Sequence, residues 1–204
     1  MFTNANNLTI IKKTAKTLAL WGEPVRIIAG SARRTALVAP KGQNTRPTAD
    51  RIKENLFNII SPHIPGARFL DLFCGSGAIG IEALSRGTGE AVFVDISKDA
   101  VSVTQANLAR AKLTGHVMQG CSFAAISQFK QQGRAFDIIF LDPPYGLNLL
   151  GSTLAALEES CILSPEGIVV TECHVDEPQP QTDSFILQDT REYGSTRIML
   201  YRYQ

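Results

Sequence analysis

The stretch FDIIFLDPPY, from Phe136 to Tyr145, decides how the rest of the chain can fold. Its first six residues are largely apolar and aromatic, which is typical of a strand buried on both faces of a parallel sheet. The run ends at Asp142, Pro143 and Pro144, because neither proline can donate a hydrogen bond to a neighbouring strand. The sequence therefore predicts a central strand whose carboxyl end carries a carboxylate, a rigid backbone and an aromatic ring. Open α/β sheets bind their ligands at that end.

These residues suit the recognition of a flat amine. The Asp142 carboxylate and the Pro143 carbonyl can accept both hydrogens of an exocyclic NH2 group, and the Tyr145 ring can stack on the attached heterocycle. The sequence DPPY resembles the fourth motif of the S-adenosylmethionine-dependent amino-methyltransferases, which act on exocyclic nitrogens of adenine, cytosine or guanine. A sharp strand exit without chemistry is the alternative interpretation of the same four residues.

Length and composition indicate one soluble globular domain with a sizeable core. The chain has 204 residues, of which 44% are hydrophobic, and a net charge of +1. No apolar run approaches the roughly 18 to 20 residues that span a bilayer, and the N-terminus lacks a secretory signal. The four cysteines are scattered, without the spacing of a zinc site or a disulfide framework. We expect a cytoplasmic protein, monomeric, with no metal and no membrane partner.

Charge is divided unevenly along the chain. Residues 1–53 carry ten Lys or Arg and two acidic residues, a balance of +8, and the remainder carries −7. A basic lobe on an acidic body predicts a polyanionic partner that the lobe holds. A solvated basic tail is the alternative.

The pattern divides the chain into three segments. Residues 1–24 are a poorly patterned extension with one helical turn expected around Thr14 to Leu20. Residues 25–47 contain VRIIAG and ALVAP around SARRT, which predicts a basic β-hairpin. Residues 48–204 are the expected main domain. It opens with a helix capped by Thr48, whose apolar face packs in the core and whose exposed face carries Arg51, Lys53 and Glu54.

Strands and helices alternate through this domain. The predicted strands are 67–72, 91–95, 116–119, 136–142 and 167–173, the later helices are 98–112 and 123–132, and a final strand pair is 185–188 and 197–203. Ser97 is the expected N-cap of the helix at 98–112. This order predicts a doubly wound, mostly parallel seven-stranded sheet with an antiparallel strand at its edge.

A glycine-rich turn follows the first strand. The residues from Gly75 to Gly80 match GxGxxG, and Asp95 lies twenty residues after Gly75 at the end of the next strand. The glycines allow a tight turn and close approach to a ligand, and Asp95 can accept hydrogen bonds from both ribose hydroxyls. A nicotinamide enzyme fits this spacing too. Asp71, however, would repel a pyrophosphate there and would attract the ammonium group of a sulfonium amino acid.

Several of these residues have structural alternatives. Asp71 could hydrogen-bond loop amides, and Asp95 could cap the next helix. Cys74 is interpreted as a small loop residue, since no basic partner is adjacent to it in the sequence. Glu172, which ends the last parallel strand, fits a place facing the site and a structural hydrogen bond equally well.

Together these segments resemble the bacterial RsmD family of small-subunit rRNA guanine-N2 methyltransferases. The resemblance rests on RIIAG, TRPTADRIKENLFNII, DLFCGSGAIGIEALSRG, FVD, FDIIFLDPPY and the late EYG, and it runs from Val25 almost to the C-terminus. It implies a Rossmann-like class I S-adenosylmethionine-dependent methyltransferase fold, S-adenosylmethionine as donor, and one guanine of 16S rRNA as substrate, in the free rRNA or in the small ribosomal subunit.

The resemblance also implies a set of site residues. The donor would be held by Asp71, Phe73, Gly75, Ser76, Gly77, Asp95, Ile96, Cys121 and Ser122, and the target base by Asp142, Pro143, Pro144 and Tyr145. The candidate RNA contacts Arg33, Arg34, Arg46 and Arg51 come instead from the basic charge of residues 1–53. The chain departs from the family at the end of the third strand, where similar proteins place Asp or Asn against the donor adenine and this chain has Cys121. A thiol is a weak hydrogen-bond partner, so we expect Ser122 or a backbone group to take that contact.

Three other functions are compatible with parts of the sequence. A DNA adenine-N6 methyltransferase would use the same DPPY residues, and a nicotinamide-dependent oxidoreductase would use the same glycine turn. A binding-only RNA module would need neither.

Overall fold

The computed structural model of the protein describes residues 25–39, 47–144, 146 and 148–204, with the side chains of 47–49 left out. The helical turn predicted around Thr14 to Leu20 and the candidate site residues Arg46 and Tyr145 lie outside the described residues.

Helices and strands alternate through the main body. The helices are α1 (Pro47–Ile60), α2 (Ala78–Ser85), α3 (Lys98–Ala111), α4 (Ser122–Gln131) and α5 (Leu149–Ser160), with a short 3-10 helix at Ser61–His63. The strands are β1 (Arg68–Asp71), β2 (Glu90–Asp95), β3 (His116–Gln119), β4 (Phe136–Leu141), β5 (Leu163–His174), β6 (Phe185–Tyr193) and β7 (Thr196–Tyr203).

The seven strands form one sheet in the order β3-β2-β1-β4-β5-β7-β6. The first five are parallel, and the chain reverses the direction in which it adds strands between β1 and β4. The predicted fold class is confirmed, with one difference at the edge. The antiparallel strand β7 lies between β5 and β6 and is not the edge strand. Strand β6 pairs along the outer side of β7 and forms the edge.

Each face of the sheet is covered by its own apolar core. The first face carries Phe69, Phe93 and Phe140 under α1, α2, α3 and the N-terminal segment, and the second carries Leu70 and Ile139 under α4 and α5. Neighbouring strand residues alternate between the two faces, which gives the three layers of an α/β fold.

Two helix assignments differ from the sequence analysis. Helix α1 begins at Pro47, so Thr48 lies inside its first turn and is not its cap. A proline suits the first position, where its missing N–H costs no hydrogen bond. Helix α5 was not predicted. It begins after Asn148, which is a usual N-cap residue but here has a positive φ and makes no side-chain capping bond.

The N-terminal segment forms a very short antiparallel pairing rather than two full strands. Arg26 and Ala36 form a single bridge, and the Leu37 amide donates to the Val25 carbonyl at 2.7 Å. The side chains of Ile27 and Leu37 are buried in the core of the first face. This hairpin is therefore held mainly by its packing on the body.

A buried carboxylate fastens the hairpin to the body. The Glu82 side chain accepts the amide N–H groups of Ile28 and Ala29 at 2.7 and 3.0 Å, and the Arg86 Nε at 2.7 Å. The Lys53 Nζ lies 3.5 Å from the same carboxylate. Lys53, which was expected on the exposed face of α1, is thus buried, because Glu82 offers it a counter-charge inside the fold.

We expect Glu82→Ala to lower the free energy of unfolding by about 3 to 5 kcal/mol, because it leaves the buried Lys53 ammonium without its counter-charge and two partly buried amides without their acceptor. Urea denaturation followed by circular dichroism measures this change. Glu54→Ala, an exposed substitution on α1, is the matched control and should change stability by less than about 0.5 kcal/mol. Equal midpoints for the two variants would contradict the role of Glu82.

Candidate active site

Four strands each place one acidic residue on the same face of the sheet. Asp71, Asp95, Asp142 and Glu172 each come two residues after a buried apolar residue of the first face, and side chains two apart in a strand share a face. Asp71 pairs in register with Phe140 of β4, so Asp142 lies one pleat beyond it toward the carboxyl edge. The four carboxyl groups therefore surround the point where the strand order reverses.

A cavity of about 870 Å³ opens at this point. The candidate residues that line it are Asp71, Phe73, Gly75, Ser76, Asp95, Ile96, Cys121, Ser122, Asp142, Pro143 and Pro144. Its other walls include Ile52, Phe123, Leu149, Glu172, Ser195 and Thr196. No Lys, Arg or His is found among the described lining residues. The cavity is thus acidic, and it has the size of a nucleoside-containing ligand.

The glycine turn between β1 and α2 needs the residues it has. Gly75 and Gly77 have φ values of 52° and 75°, and Gly77 is the N-cap of α2. A Cβ atom on Gly77 would lie 2.7 Å from Thr104 Cγ2, and one on Gly80 would lie 2.3 Å from the Phe93 ring. Side chains would therefore push α2 away from α3 and β2 and close the turn to a ligand.

Asp95 connects two loops at the cavity wall. Its two carboxylate oxygens accept the Gly75 amide and the Ser97 amide, each at 2.8 Å. Asp95 does not cap α3, because Ser97 accepts the Ala100 amide at 3.3 Å and is the N-cap that the sequence predicted. A carboxylate oriented in this way keeps free lone pairs for the two hydroxyls of a ribose.

Asp71 is the most deeply buried of the four acids, with 1% of its surface exposed. The Phe73 amide donates to its carboxylate at 3.4 Å. Burial, with a smaller contribution from the Asp95 charge, raises the pKa of Asp71 from about 3.8 to about 7. An acid in such a place is stabilised in its charged form by a ligand that brings a positive charge.

The carboxyl groups of Asp142 and Glu172 interact, so that ionisation of one makes ionisation of the other less favourable. Burial raises the pKa of Asp142 well above its usual value, and the charges of Glu172 and Asp71 raise it further. Burial also raises the pKa of Glu172 to about 7. No described side chain that lines the cavity therefore brings a positive charge to these carboxyl groups.

Two large apolar side chains that line the cavity are exposed. Ile96 is 74% exposed and Phe123 is 36% exposed, although both are large and hydrophobic. Cys121 is exposed beside them and makes no side-chain capping bond at the start of α4, and Ser122 is buried. The structure brings the predicted residues Ile96, Cys121 and Ser122 together, and it adds Phe123.

Cys74 lines the cavity but is unsuited to nucleophilic chemistry. Burial, and then the Asp71 charge, raises the pKa of its thiol far above the usual range. Its sulfur lies 3.6 Å from the Thr104 hydroxyl, which contacts the Gly75 carbonyl at 3.1 Å. Cys74 and Thr104 therefore support the glycine turn.

The loop after β4 carries the candidate base-binding residues. Pro143 is buried and Pro144 is exposed, so the backbone turns outward between them. The Gly146 amide donates to the Glu177 carboxylate at 3.2 Å. The guanidinium of Arg197 donates to the carbonyls of Val175 and Glu177 at 2.5 and 2.9 Å. These contacts join the Pro-Pro loop to the β5–β6 connection.

Three of the four candidate RNA contacts lie within the described residues. Arg33 and Arg34 are exposed at the turn of the hairpin, and Arg51 is exposed on α1. None of the three forms an ion pair with another described residue, whereas Arg26 pairs with Asp50 at 3.1 Å. The hairpin thus offers unpaired positive charge outside the acidic cavity.

Sequence reasoning missed several cavity residues. Phe123, Ser195 and Thr196 follow strands or turns without any motif that marks them, and Leu149 belongs to the unpredicted helix α5. Glu172 was considered from the sequence as a residue that faces the site, and it does line the cavity, although β5 continues past it to His174.

No helix among the described residues combines the length and the apolarity needed to cross a bilayer. The side chains that the structure describes also form no group of three or more His, Cys, Asp or Glu that could hold a metal ion.

The sheet order, the glycine turn and the acids at the strand ends define the Rossmann-like fold of the class I S-adenosylmethionine-dependent methyltransferases. A sequence model of the family described as Conserved hypothetical protein 95 matches residues 25–202. The chain belongs to this family, and the predicted membership of the RsmD family is confirmed.

Similar proteins agree with this assignment. Ribosomal RNA small subunit methyltransferase D of Escherichia coli K12 is 36% identical over 87% of this chain and 89% of its own length. The enzyme of that name from Haemophilus influenzae is 33% identical over 87% of this chain and 93% of its own. The solved structure of Escherichia coli yhhF, provisionally described as a methyltransferase, has a TM-score of 0.79 at 30% identity and covers 89% of this chain and 99% of that one.

The raised pKa of Asp71 predicts how stability depends on pH. A carboxyl group with a higher pKa in the folded than in the unfolded chain makes the folded protein bind protons more tightly. The free energy of unfolding should therefore fall as pH rises from about 4 to about 7. Asp71→Asn should remove part of this fall and be more stable than the wild type at pH 8, by up to about 4 kcal/mol.

Urea titrations at pH 4 and pH 8 measure the effect. Asp183→Asn, which changes an exposed acid on the β5–β6 connection, is the control and should keep the wild-type pH dependence. The explanation fails if Asp71→Asn also keeps it.

Proposed function

We propose that this protein transfers a methyl group from S-adenosylmethionine to the exocyclic N2 amine of a guanine in 16S rRNA. The observation that carries the proposal is the acidic cavity at the strand-order reversal, which ends in the Asp142-Pro143-Pro144 segment. The substrate class follows from the rRNA methyltransferase relatives that cover most of the chain.

The described residues fit this donor. S-adenosylmethionine supplies a methyl group on a positively charged sulfonium, which makes the methyl carbon electrophilic. The donor's sulfonium and ammonium charges suit a cavity with four carboxyl groups, whereas a dinucleotide pyrophosphate would meet repulsion at Asp71. Asp95 is oriented for ribose hydroxyls, and Ile96 and Phe123 can enclose an adenine between apolar surfaces. This charge argument disfavours the nicotinamide oxidoreductase.

The residues at the end of β4 would act on the base. The lone pair of the N2 amine is delocalised into the guanine ring, so the amine is a weak nucleophile. Hydrogen bonds to the Asp142 carboxylate and the Pro143 carbonyl would favour a pyramidal nitrogen with its lone pair aimed at the methyl carbon. Tyr145 would stack on the base, which must leave its helix or loop to enter the cavity.

The hairpin would bind the rRNA outside the cavity. Arg33 and Arg34 are exposed and unpaired among the described residues, and Glu82 accepts two hydrogen bonds from the backbone of their hairpin. Arg51, which is exposed on α1, and Arg46 would add further phosphate contacts. Phosphate binding by this surface would position the RNA, and the cavity would select the amine.

A methyl-transfer assay with labelled S-adenosylmethionine tests the proposal. The substrates are small ribosomal subunits and, separately, protein-free rRNA, both from a strain that lacks the gene. We expect N2-methylguanosine at one site of 16S rRNA, identified by mass spectrometry. Asp142→Ala should reduce this transfer at least about 100-fold and weaken donor binding far less, because it removes the contact that orients the amine and leaves three carboxyl groups in the cavity for the donor's charge.

Asp183→Ala is the control and should transfer at the wild-type rate. N6-methyladenine in DNA as the product would replace the proposal by the DNA methyltransferase alternative. Full transfer by Asp142→Ala would refute the role of this residue.

RNA binding should fall steeply with salt. The double variant Arg33→Gln/Arg34→Gln should weaken rRNA binding and reduce the slope of log K against log salt by roughly 1 to 2, since each lost phosphate contact removes about 0.7 to 0.9. Filter binding between 50 and 300 mM salt measures the slope. Arg110→Gln/Lys112→Gln, which removes the same charge from the exposed end of α3, should leave the slope unchanged. Identical slopes for the two double variants would exclude the hairpin as the RNA contact.

A further inference from the structure

Glu172 and Asp142 occupy neighbouring positions at the carboxyl edge of the sheet. Strand β4 pairs with β5 in parallel register, with Leu141 opposite Thr171. The next residue on each strand is therefore Asp142 and Glu172, on chains that run about 4.8 Å apart. Both side chains belong to the first face and line the same cavity. The two carboxyl groups are thus close enough to exchange a proton directly or through one water molecule.

Glu172 has no structural task among the described residues. Its carboxylate makes no hydrogen bond and no ion pair with any of them, although it is only partly exposed. Its neighbour across β7 is Ile198, which is apolar. No contact between Glu172 and another described residue therefore corresponds to the structural hydrogen bond considered from the sequence, and burial of an acid without such a contact costs stability.

On the side of Glu172 that faces the cavity, every described charged or titratable group is acidic or neutral. Asp71 on β1, Asp95 on β2 and Asp142 on β4 face the cavity, with the thiols of Cys74 and Cys121. Strand β7 and the turn before it contribute the hydroxyls of Ser195 and Thr196. Arg197, also on β7, is engaged elsewhere, with Glu192 and with the carbonyls of Val175 and Glu177. No described cation competes for the Glu172 carboxylate.

We propose that Glu172 takes up, through Asp142, the proton that the amine loses when it is methylated. This inference rests on the proposed function. It assigns Glu172 as a positioning and proton-accepting residue that acts through Asp142, while Asp142 itself contacts the base.

The step balances in atoms and charge. The amine nitrogen bonds the methyl carbon as the carbon–sulfur bond breaks, and the bonding electron pair stays on sulfur as a neutral thioether. The nitrogen then carries a positive charge and one hydrogen too many. That proton passes to the Asp142 carboxylate, and a proton passes on to the Glu172 carboxylate. Glu172 ends as a neutral acid, which returns the proton to solvent when the products leave the open cavity.

Loss of the sulfonium charge makes the pair a better proton acceptor at the moment a proton appears. Before transfer, a cation beside the two carboxylates stabilises their ionised forms. After transfer, two adjacent negative charges remain in a partly buried cavity, and one proton relieves their repulsion. The proton affinity of a single carboxylate would rise less when the sulfonium charge is lost, because no neighbouring negative charge would repel it. A pair of carboxylates is therefore the better proton acceptor.

Three substitutions on β5 separate proton uptake from shape. Glu172→Gln keeps the size and hydrogen-bonding capacity of the side chain and loses the proton acceptor. Glu172→Asp keeps the acid and loses the shape. Glu166→Gln, at the exposed start of the same strand, is the control. Single-turnover methyl transfer at saturating donor and rRNA is measured from pH 5.5 to 9.

We expect Glu172→Gln to transfer about tenfold or more slowly, Glu172→Asp to be faster than Glu172→Gln, and Glu166→Gln to match the wild type. The acid limb of the pH profile, which reports ionisation of the pair, should move to lower pH in Glu172→Gln, because Asp142 loses a neighbouring negative charge. The inference would be overturned if Glu172→Gln transferred faster than Glu172→Asp. It would also be overturned if Glu172→Gln kept both the wild-type rate and the wild-type position of the acid limb.

A binding measurement without RNA distinguishes this failure from failure of the proposed function. Calorimetry in phosphate and in Tris gives the protons bound with S-adenosylmethionine and with S-adenosylhomocysteine. Near pH 7 the wild type should bind more protons with the neutral product, and this difference should shrink in Glu172→Gln. An equal difference in both proteins would also overturn the inference. Absence of rRNA methylation by the wild type, in contrast, would overturn the proposed function.

Discussion

Four carboxyl groups must share one partly buried cavity because the side chains of a strand alternate between the two faces of its sheet. Strands β1, β2, β4 and β5 run parallel, and each carries an acid in phase with the apolar residues of the first face. Their charges meet where water is scarce, which raises the pKa values of Asp71, Asp142 and Glu172. The protein therefore contains a site whose ionised carboxyl groups are stabilised when a positive charge occupies it, and S-adenosylmethionine carries such a charge.

The rest of the structure supplies the stability that this site lacks and carries a basic surface outside it. Two apolar cores, one on each face of the sheet, supply the stability that unpaired carboxyl groups remove. Glu82 fastens the basic hairpin to α1 and α2, so that positive charge lies on the outside while the cavity stays acidic. The exposed positive charge of the hairpin and the acidic cavity thus lie on separate surfaces of the same body.

Residues with strong local signals were predicted well. Strand β3 has the predicted bounds His116–Gln119, and Ser97 caps α3 as expected, because strand patterns and capping bonds are local in sequence. Helix α5 was missed although Asn148, a usual N-cap residue, precedes it. Lys53 was placed on the surface because its only sequence signal is its charge, and the partner that buries it, Glu82, is far along the chain. The place of β7 inside β6 also depends on contacts between distant segments.

The sequence by itself determined the class of fold, the glycine turn, the strand that ends in Asp142-Pro143-Pro144 and the family to which the chain belongs. These features follow from short-range patterns, namely alternation, turn residues and capping, which act within a few residues. Only the tertiary structure decided that Glu172 lies beside Asp142, that Phe123 joins Ile96 at the rim and that Lys53 is buried against Glu82. Strand register and burial set these contacts, and both arise from packing between segments that the sequence keeps far apart.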